Sequence, residues 1–133
     1  MSFSTPDLSD ANPEAQALSP ILKNLGGKEI FWGKIETLRC PDDNSFVKEL
    51  LNSEGGGKIL VVDADGITTV ALLGDMIAEA GVKNNWSGII INGYVRDIDV
   101  LGKLNFGVQA LGTMPVRSEK KNRGKIGLSL IHI

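Results

Sequence analysis

Asp75-Met76-Ile77-Ala78-Glu79-Ala80-Gly81-Val82-Lys83-Asn84-Asn85, then after Trp86-Ser87 the run Gly88-Ile89-Ile90-Ile91-Asn92-Gly93, then Arg96-Asp97, decides how this chain folds. Met76, Ile77, Ala80 and Lys83 fall on or beside one face at helical spacing, and Asn84-Asn85 supply a stop signal. The first stretch therefore predicts a helix with Asp75 in its first turn. The second is a short β-branched run closed by a turn residue, as expected of a strand buried on both faces. Arg96-Asp97 then sits just past the strand's carboxyl end. In α/β sheets ligands collect in the crevice outside those ends, and helix N-termini there offer N–H groups to anions. Asp75 and Arg96-Asp97 are thus expected to meet on one rim.

Outward from this segment, strands and helices alternate. Lys58-Ile59-Leu60-Val61-Val62-Asp63 predicts a second buried strand, and Glu29 to Arg39 alternates apolar with charged residues in its second half, which predicts a strand with one wet face. Asn44 or Ser45 can cap a helix through Phe46, Val47, Leu50 and Leu51. Thr5-Pro6 opens a shorter helix that ends before Asn12-Pro13. Gly55-Gly56-Gly57 follows a helix and opens a strand, the reverse of a phosphate-binding loop, and reads as a helix C-cap. Asp63-Ala64-Asp65-Gly66 lacks the further acids of a calcium loop and reads as a turn. Gly74 permits a close backbone approach to a ligand.

A chain of 133 residues with 42% hydrophobic and 23% charged content builds one domain around one core. No apolar stretch has the length of a membrane span, and the N-terminus lacks a basic-then-apolar signal pattern, so a cytoplasmic protein without membrane partners is expected. Cys40 is the only cysteine, which excludes intrachain disulfides and cysteine-rich zinc sites and suits a small buried hydrophobe. His132 is the only histidine and forms no familiar triad pattern with Cys40. Trp32 and Trp86 are expected to fill core or subunit-interface space. The formal net charge is −2, yet five of the 14 basic residues, Arg117, Lys120, Lys121, Arg123 and Lys125, stand close together against Glu119. No aromatic residue interleaves with them as a nucleic-acid platform needs, so they read as a solvated loop from which some cations can face an anionic substrate. Spacing alone leaves Asp75, Arg96 and Asp97 open between a functional site and a helix cap beside a surface ion pair.

The segments Ala71-Leu72-Leu73-Gly74-Asp75-Met76-Ile77-Ala78-Glu79 and Asn84-Asn85-Trp86-Ser87-Gly88-Ile89-Ile90-Ile91-Asn92-Gly93-Tyr94-Val95-Arg96-Asp97-Ile98-Asp99 resemble the signature of the RraA-like family. That family unites proteins named regulator of ribonuclease activity A with metal-dependent 4-hydroxy-4-methyl-2-oxoglutarate aldolases. The resemblance continues through Leu25-Gly26-Gly27, Asp42-Asp43-Asn44-Ser45, Leu60-Val61-Val62-Asp63 and Gly107 to Thr113, and covers the chain from Asp7 to Lys125. The family's aldolases carry an acid, a spacer of twenty residues and an Arg-Asp pair, which Asp75, Arg96 and Asp97 match residue for residue. Members studied as ribonuclease regulators tend to lack one or both acids.

This resemblance implies a single α/β domain over residues 1–133, a layered β/β/α sandwich of the swivelling, phosphohistidine-domain-like type. It further implies a homotrimer or dimer of trimers with active sites near subunit boundaries, a small 2-oxo acid as substrate, and magnesium or manganese as cofactor. Asp97 is the expected metal ligand. Arg96 would neutralise enolate charge, Asp75 would orient a water on the metal, and backbone N–H groups around Gly74, Asp75, Met76 and Ile77 would hold the substrate carboxylate. Oxaloacetate decarboxylation is expected as a second activity. The alternative implied function is a non-enzymatic regulator that binds a ribonuclease. Relatives continue beyond the point where this chain stops, and Leu128-Ser129-Leu130-Ile131-His132-Ile133 matches a translated sequencing adapter, so residues 128–133 are expected to be a non-native tail.

Overall fold

The computed structural model describes residues 4–18, 20–40 and 43–118, together with the backbone of 125–126. Lys120, Lys121, Arg123, Asp42, His132 and the tail 128–133 lie outside the described residues. The chain runs α1 (Thr5–Ala11), β1 (Lys23–Asn24), β2 (Ile35–Arg39), α2 (Ser45–Leu51), β3 (Ile59–Asp63), β4 (Ala71–Leu73), α3 (Asp75–Lys83), β5 (Gly88–Val95), α4 (Ile98–Leu101), β6 (Gly107–Thr113) and β7 (Lys125–Ile126).

The described strands form one sheet in the order β1-β6-β5-β3-β2-β7, with β4 paired to β5 off that path. β2, β3, β5 and β6 are mutually parallel neighbours, whereas β1 and β7 are antiparallel edges. Each parallel step needs a crossover, and α2, α3 and α4 supply them in turn. Three crossovers of the same hand that all advance in one direction put their helices on one face. Contacts of α3 with both α2 and α4 agree with that placement.

The core lies between these helices and the sheet. Leu38, Leu60, Val62, Ile89, Ile91, Val108 and Ala110 alternate along their strands and join Val47, Leu51, Ala78, Leu101 and Phe106 in a single buried cluster. Each Leu, Ile, Val or Phe buried there contributes about 1.5–3 kcal/mol. α3 comes close enough that a Cβ at Gly81 would lie 2.9 Å from Phe106 Cζ, so glycine at that point sets the helix-to-sheet distance. The residues buried on α3 are Ala78 and Gly81, while Met76 is exposed. The apolar face expected at Met76, Ile77, Ala80 and Lys83 is therefore rotated: small residues face the sheet because the helix packs tightly on it.

Several expected boundaries move for local reasons. α1 takes its cap from Ser4, whose Oγ accepts from the Asp7 N–H at 3.3 Å. Only the second, alternating half of Glu29 to Arg39 is a strand. At α2, Asn44 makes no side-chain cap bond; Asp43 Oδ1 instead accepts from the backbone N–H and hydroxyl of Ser45. α2 closes at Asn52, upstream of Gly55, so the glycines are not its C-cap. Gly56 and Gly57 have φ of +56° and +83° and turn the chain into β3. Asp63 to Gly66 is the expected turn, with Asp63 Oδ1 accepting from Asp65 N–H and Asn92 Nδ2. Cys40 is buried.

Trp86 occupies core space as expected, with 4% exposure and its Nε1–H donating to Ser53 O at 2.8 Å. Gly55 lies against its ring, where a Cβ would approach to 2.5 Å. Trp32 differs: it is 56% exposed and fills no core space in this chain. Trp86 thus joins the end of α2 to the start of β5. Trp86→Ala is expected to lower unfolding free energy by about 3–5 kcal/mol, measured by urea denaturation, since it empties a large site and orphans a carbonyl.

Candidate functional site

The site is assembled by one pairing between short strands. β4 runs parallel to β5, with Ala71 beside Tyr94 and Leu73 beside Val95. Arg96 extends that pairing, its N–H donating to Leu73 O at 2.9 Å. Neighbouring parallel strands end on the same side of a sheet. Gly74 and Asp75 therefore leave β4 beside the point where Arg96 and Asp97 leave β5.

Two local conformations complete the arrangement. Gly74 is extended and serves as N-cap of α3, with its carbonyl accepting from Ala78 N–H at 3.1 Å. Asp97 adopts the left-handed region, φ 58° and ψ 41°, and its carbonyl accepts from Val100 and Leu101 to start α4. A non-glycine residue there carries strain of order 1 kcal/mol, and Asp tolerates it better than most. That reversal turns the Asp97 side chain back toward α3.

Asp97 Oδ2 accepts from the Asp75 N–H at 3.2 Å and lies 3.8 Å from Arg96 Nε. Asp75 Oδ1 accepts from the Met76 N–H at 2.8 Å. Two N–H groups expected to hold a substrate carboxylate thus hold the protein's own carboxylates here. Both acids sit favourably at the positive end of the α3 dipole. The Arg96–Asp97 contact is long and about a third exposed, and a pair of that kind contributes at most about 1 kcal/mol. Little is lost when either group turns to a ligand.

Arg96 stands between two cavities. One, of about 270 Å³, is lined by Gly74, Asp75, Met76, Ile77 and Arg96, the whole set expected for substrate contact and proton handling. The other, of about 250 Å³, contains Arg96, Asp97, Ile98, Thr113, Met114 and Pro115. The sequence reading placed the two acids on one rim, and the structure brings the Asp97 carboxylate to the Asp75 N–H, with Asp75 in the lining of the first cavity and Asp97 in that of the second. It missed Asn44, Lys48, Ala71 and Leu73, which line the first cavity too. Asn44 was legible only as a cap and Lys48 carried no signal of its own, since nothing local tells that α2 ends up beside β4. Arg117 also lines this cavity and is the basic-cluster residue whose side chain is described there.

Among the described residues no three His, Cys, Asp or Glu side chains gather into a metal cage. Sparse hard-oxygen donors still fit a magnesium-type ion, which keeps several waters and takes one or two protein carboxylates. Asp97 provides such a carboxylate at the surface, and the one thiol, Cys40, is buried.

The chain matches the RraA-like family (Aldolase/RraA) over residues 5–131. It belongs to the RraA-like family. It is 50% identical over 129 residues to a protein of Pseudomonas syringae pv. tomato named "Putative 4-hydroxy-4-methyl-2-oxoglutarate aldolase", covering 96% of this chain and 80% of that one. A protein of Pseudomonas aeruginosa with the same name is 45% identical over 131 residues, covering 98% of this chain and 81% of that one. The structure titled RNA-processing inhibitor RraA from Thermus thermophilis superposes with a TM-score of 0.93 at 38% identity, covering 96% of this chain and 78% of that one. The α/β fold expected from the resemblance is thereby established. A Geobacillus kaustophilus structure titled S-adenosylmethionine:2-dimethylmenaquinone methyltransferase gives a TM-score of 0.91 at 37% identity, covering 95% and 79%. These names disagree on activity while the fold agrees, so function rests on the site residues. No described helix is long and apolar enough to cross a membrane.

Gly74 has a role that its dihedrals do not require. A Cβ there would lie 2.9 Å from Asp97 Oδ2 and 3.3 Å from Arg96 Nε. Both are ends of movable side chains, so Gly74→Ala is expected to shift unfolding free energy by no more than about 1 kcal/mol. Displacement of Arg96 and Asp97 is expected to cost about 100-fold in turnover. Denaturant titration beside kinetics on the same preparation checks the split; equal activity would show that the close approach is incidental.

Proposed function

We propose that this chain is a divalent-metal-dependent lyase that cleaves 4-hydroxy-4-methyl-2-oxoglutarate to two pyruvates and decarboxylates oxaloacetate through the same pyruvate enolate. The observation that carries this reading is Arg96, a guanidinium shared by a cavity at the α3 N-terminus and a cavity that holds Asp97. An enolate-forming site needs a cation beside the developing oxyanion and donors for an adjacent carboxylate, and this rim offers both.

In the retro-aldol reaction the C4 hydroxyl loses its proton, the C3–C4 bond breaks, and its electron pair passes to C3. C4 becomes the keto carbon of one pyruvate, while C1 to C3 leave as pyruvate enolate that takes a proton at C3. With oxaloacetate, the C3–C4 bond breaks with loss of carbon dioxide and leaves the same enolate. Asp97 would hold a magnesium or manganese ion, with Asp75 close by; the bound ion supplies Lewis-acid polarisation of the 2-oxo group. Backbone N–H groups of Gly74, Asp75, Met76 and Ile77 receive the C1 carboxylate as the protein's own carboxylates turn aside. Arg96 neutralises the enolate oxygen. Asp75, itself anionic, orients a water that takes the C4 hydroxyl proton and returns one to C3.

A second reading is supported by the Thermus structure titled RNA-processing inhibitor: a binding module that regulates a ribonuclease. The Asp75, Arg96 and Asp97 set favours the enzyme, because a protein-binding surface has no need of these three groups around two small cavities.

Arg96→Ala is expected to lower kcat by 100- to 1,000-fold, the usual cost of about 3–4 kcal/mol for removing one oxyanion contact. Asp97→Ala and prolonged chelation are each expected to abolish pyruvate release, and magnesium or manganese should restore only the chelated native protein. Full activity after chelation, with a borohydride-trapped lysine adduct, would refute the metal mechanism. Ribonuclease binding that survives both substitutions, without pyruvate release from the native chain, would favour the regulator.

A further inference from the structure

The cavity at the α3 N-terminus carries more positive charge than the Asp75, Arg96 and Asp97 motif supplies. Lys48 and Arg117 line it beside Arg96, and Asp75 is the one acid among its described lining residues. They arrive independently: Lys48 from α2, and Arg117 from the segment after β6. Arg117 is held at the far end of β4 by a parallel bridge to Ala71, whose N–H donates to Val116 O at 2.7 Å. From Ala71 to Gly74 the extended chain covers roughly 10 Å at about 3.3 Å per residue. The Arg117 backbone is therefore anchored beside the start of β4, whereas the α3 N-terminus follows its end.

Neither cation forms an ion pair with a described carboxylate, and both are exposed. Ala71, Leu73, Met76 and Ile77 give the cavity an apolar wall, with Asn44 as a polar member. A cavity that combines the α3 N-terminal donors, three cations against one described acid and an apolar wall fits a short-chain dianion.

We propose that Lys48 and Arg117 form a second anion site that binds the carboxylate remote from the 2-oxo group, so that this cavity selects 2-oxo diacids over 2-oxo monoacids. The proposal rests on the aldolase reading and deepens it by assigning specificity to residues outside the motif. A diacid meets Arg96 and the α3 N-terminus with one carboxylate and Lys48 and Arg117 with the other. Pyruvate, with one carboxylate, engages only the α3 end and leaves Lys48 and Arg117 unanswered, which favours its release.

Binding separates this proposal from catalysis. Calorimetric titrations of the full chain in magnesium buffer would use 2-oxoglutarate, which lacks the C4 hydroxyl needed for cleavage, and pyruvate. The native chain is expected to bind 2-oxoglutarate more tightly than pyruvate. Lys48→Met and Arg117→Met are each expected to weaken 2-oxoglutarate about tenfold, the usual effect of losing a charge-assisted contact, and to change pyruvate affinity less than about twofold. Lys48→Arg should keep most of the diacid affinity, a rescue that a merely structural lysine would not predict. Because both side chains are exposed, thermal melts of all variants should coincide. If the double variant binds 2-oxoglutarate as tightly as the native chain while pyruvate still binds, the diacid site is wrong and the aldolase reading stands. If the native chain binds neither acid, both fall together.

Discussion

The parallel pairing of β4 with β5, extended by the Arg96 N–H to the Leu73 carbonyl at 2.9 Å, is the constraint on which the rest of the site depends. β5 offers one edge to β6 along its length. Its other edge is shared, with β3 beside Gly88 to Asn92 and β4 beside Tyr94 and Val95. The register shifts where one partner gives way to the other. β4 is only three residues long, so it is held by this pairing and by the burial of Ala71, Leu72 and Leu73. Without that short strand, Gly74 and the start of α3 would have no fixed relation to Arg96.

From this constraint follows an electrostatic arrangement that is stable yet readily rearranged. The α3 N-terminus attracts carboxylates, and Asp75 and Asp97 supply them. These contacts lie at the surface and use single hydrogen bonds, each worth about 0.5–1.5 kcal/mol net. Under the proposed aldolase reading an incoming carboxylate would replace them at small cost. Gly74 keeps the approach open, and the left-handed backbone of Asp97 aims its carboxylate at that opening. Strain at Asp97 and the absence of a side chain at Gly74 are two halves of one close contact.

Much of this was legible in residue order. The β-branched run Ile89-Ile90-Ile91 and the helix that starts at Asp75 were readable because their periods and stop residues are local properties. The helix start and the strand end supplied the rim on which Asp75 meets Arg96 and Asp97, and the resemblance to the RraA-like family supplied the task expected of each. Other features were hidden for physical reasons. The inward face of α3 was misjudged because tight packing on Phe106 selects Ala78 and Gly81 over larger apolar residues. Asp43 took the capping role expected of Asn44 or Ser45, since side-chain geometry at a helix start depends on how the chain enters it. Trp32 was expected in core or subunit-interface space, and its exposure rules out the core of this chain, because the apolar residues around it do not continue a strand.

By itself the sequence determined the alternating elements, the buried parallel strands and the acid-spacer-Arg-Asp motif, because hydrophobic period, caps and turn residues act over a few neighbouring positions. Only the tertiary structure decided that Arg96 lines two cavities, one with Asp75 and the other with Asp97, and that Lys48 and Arg117 share the first of them. Those relations arise from sheet order and from the approach of α2 to β4. Such placements are set by how packed layers exclude water from a common core, and no short stretch of sequence records them.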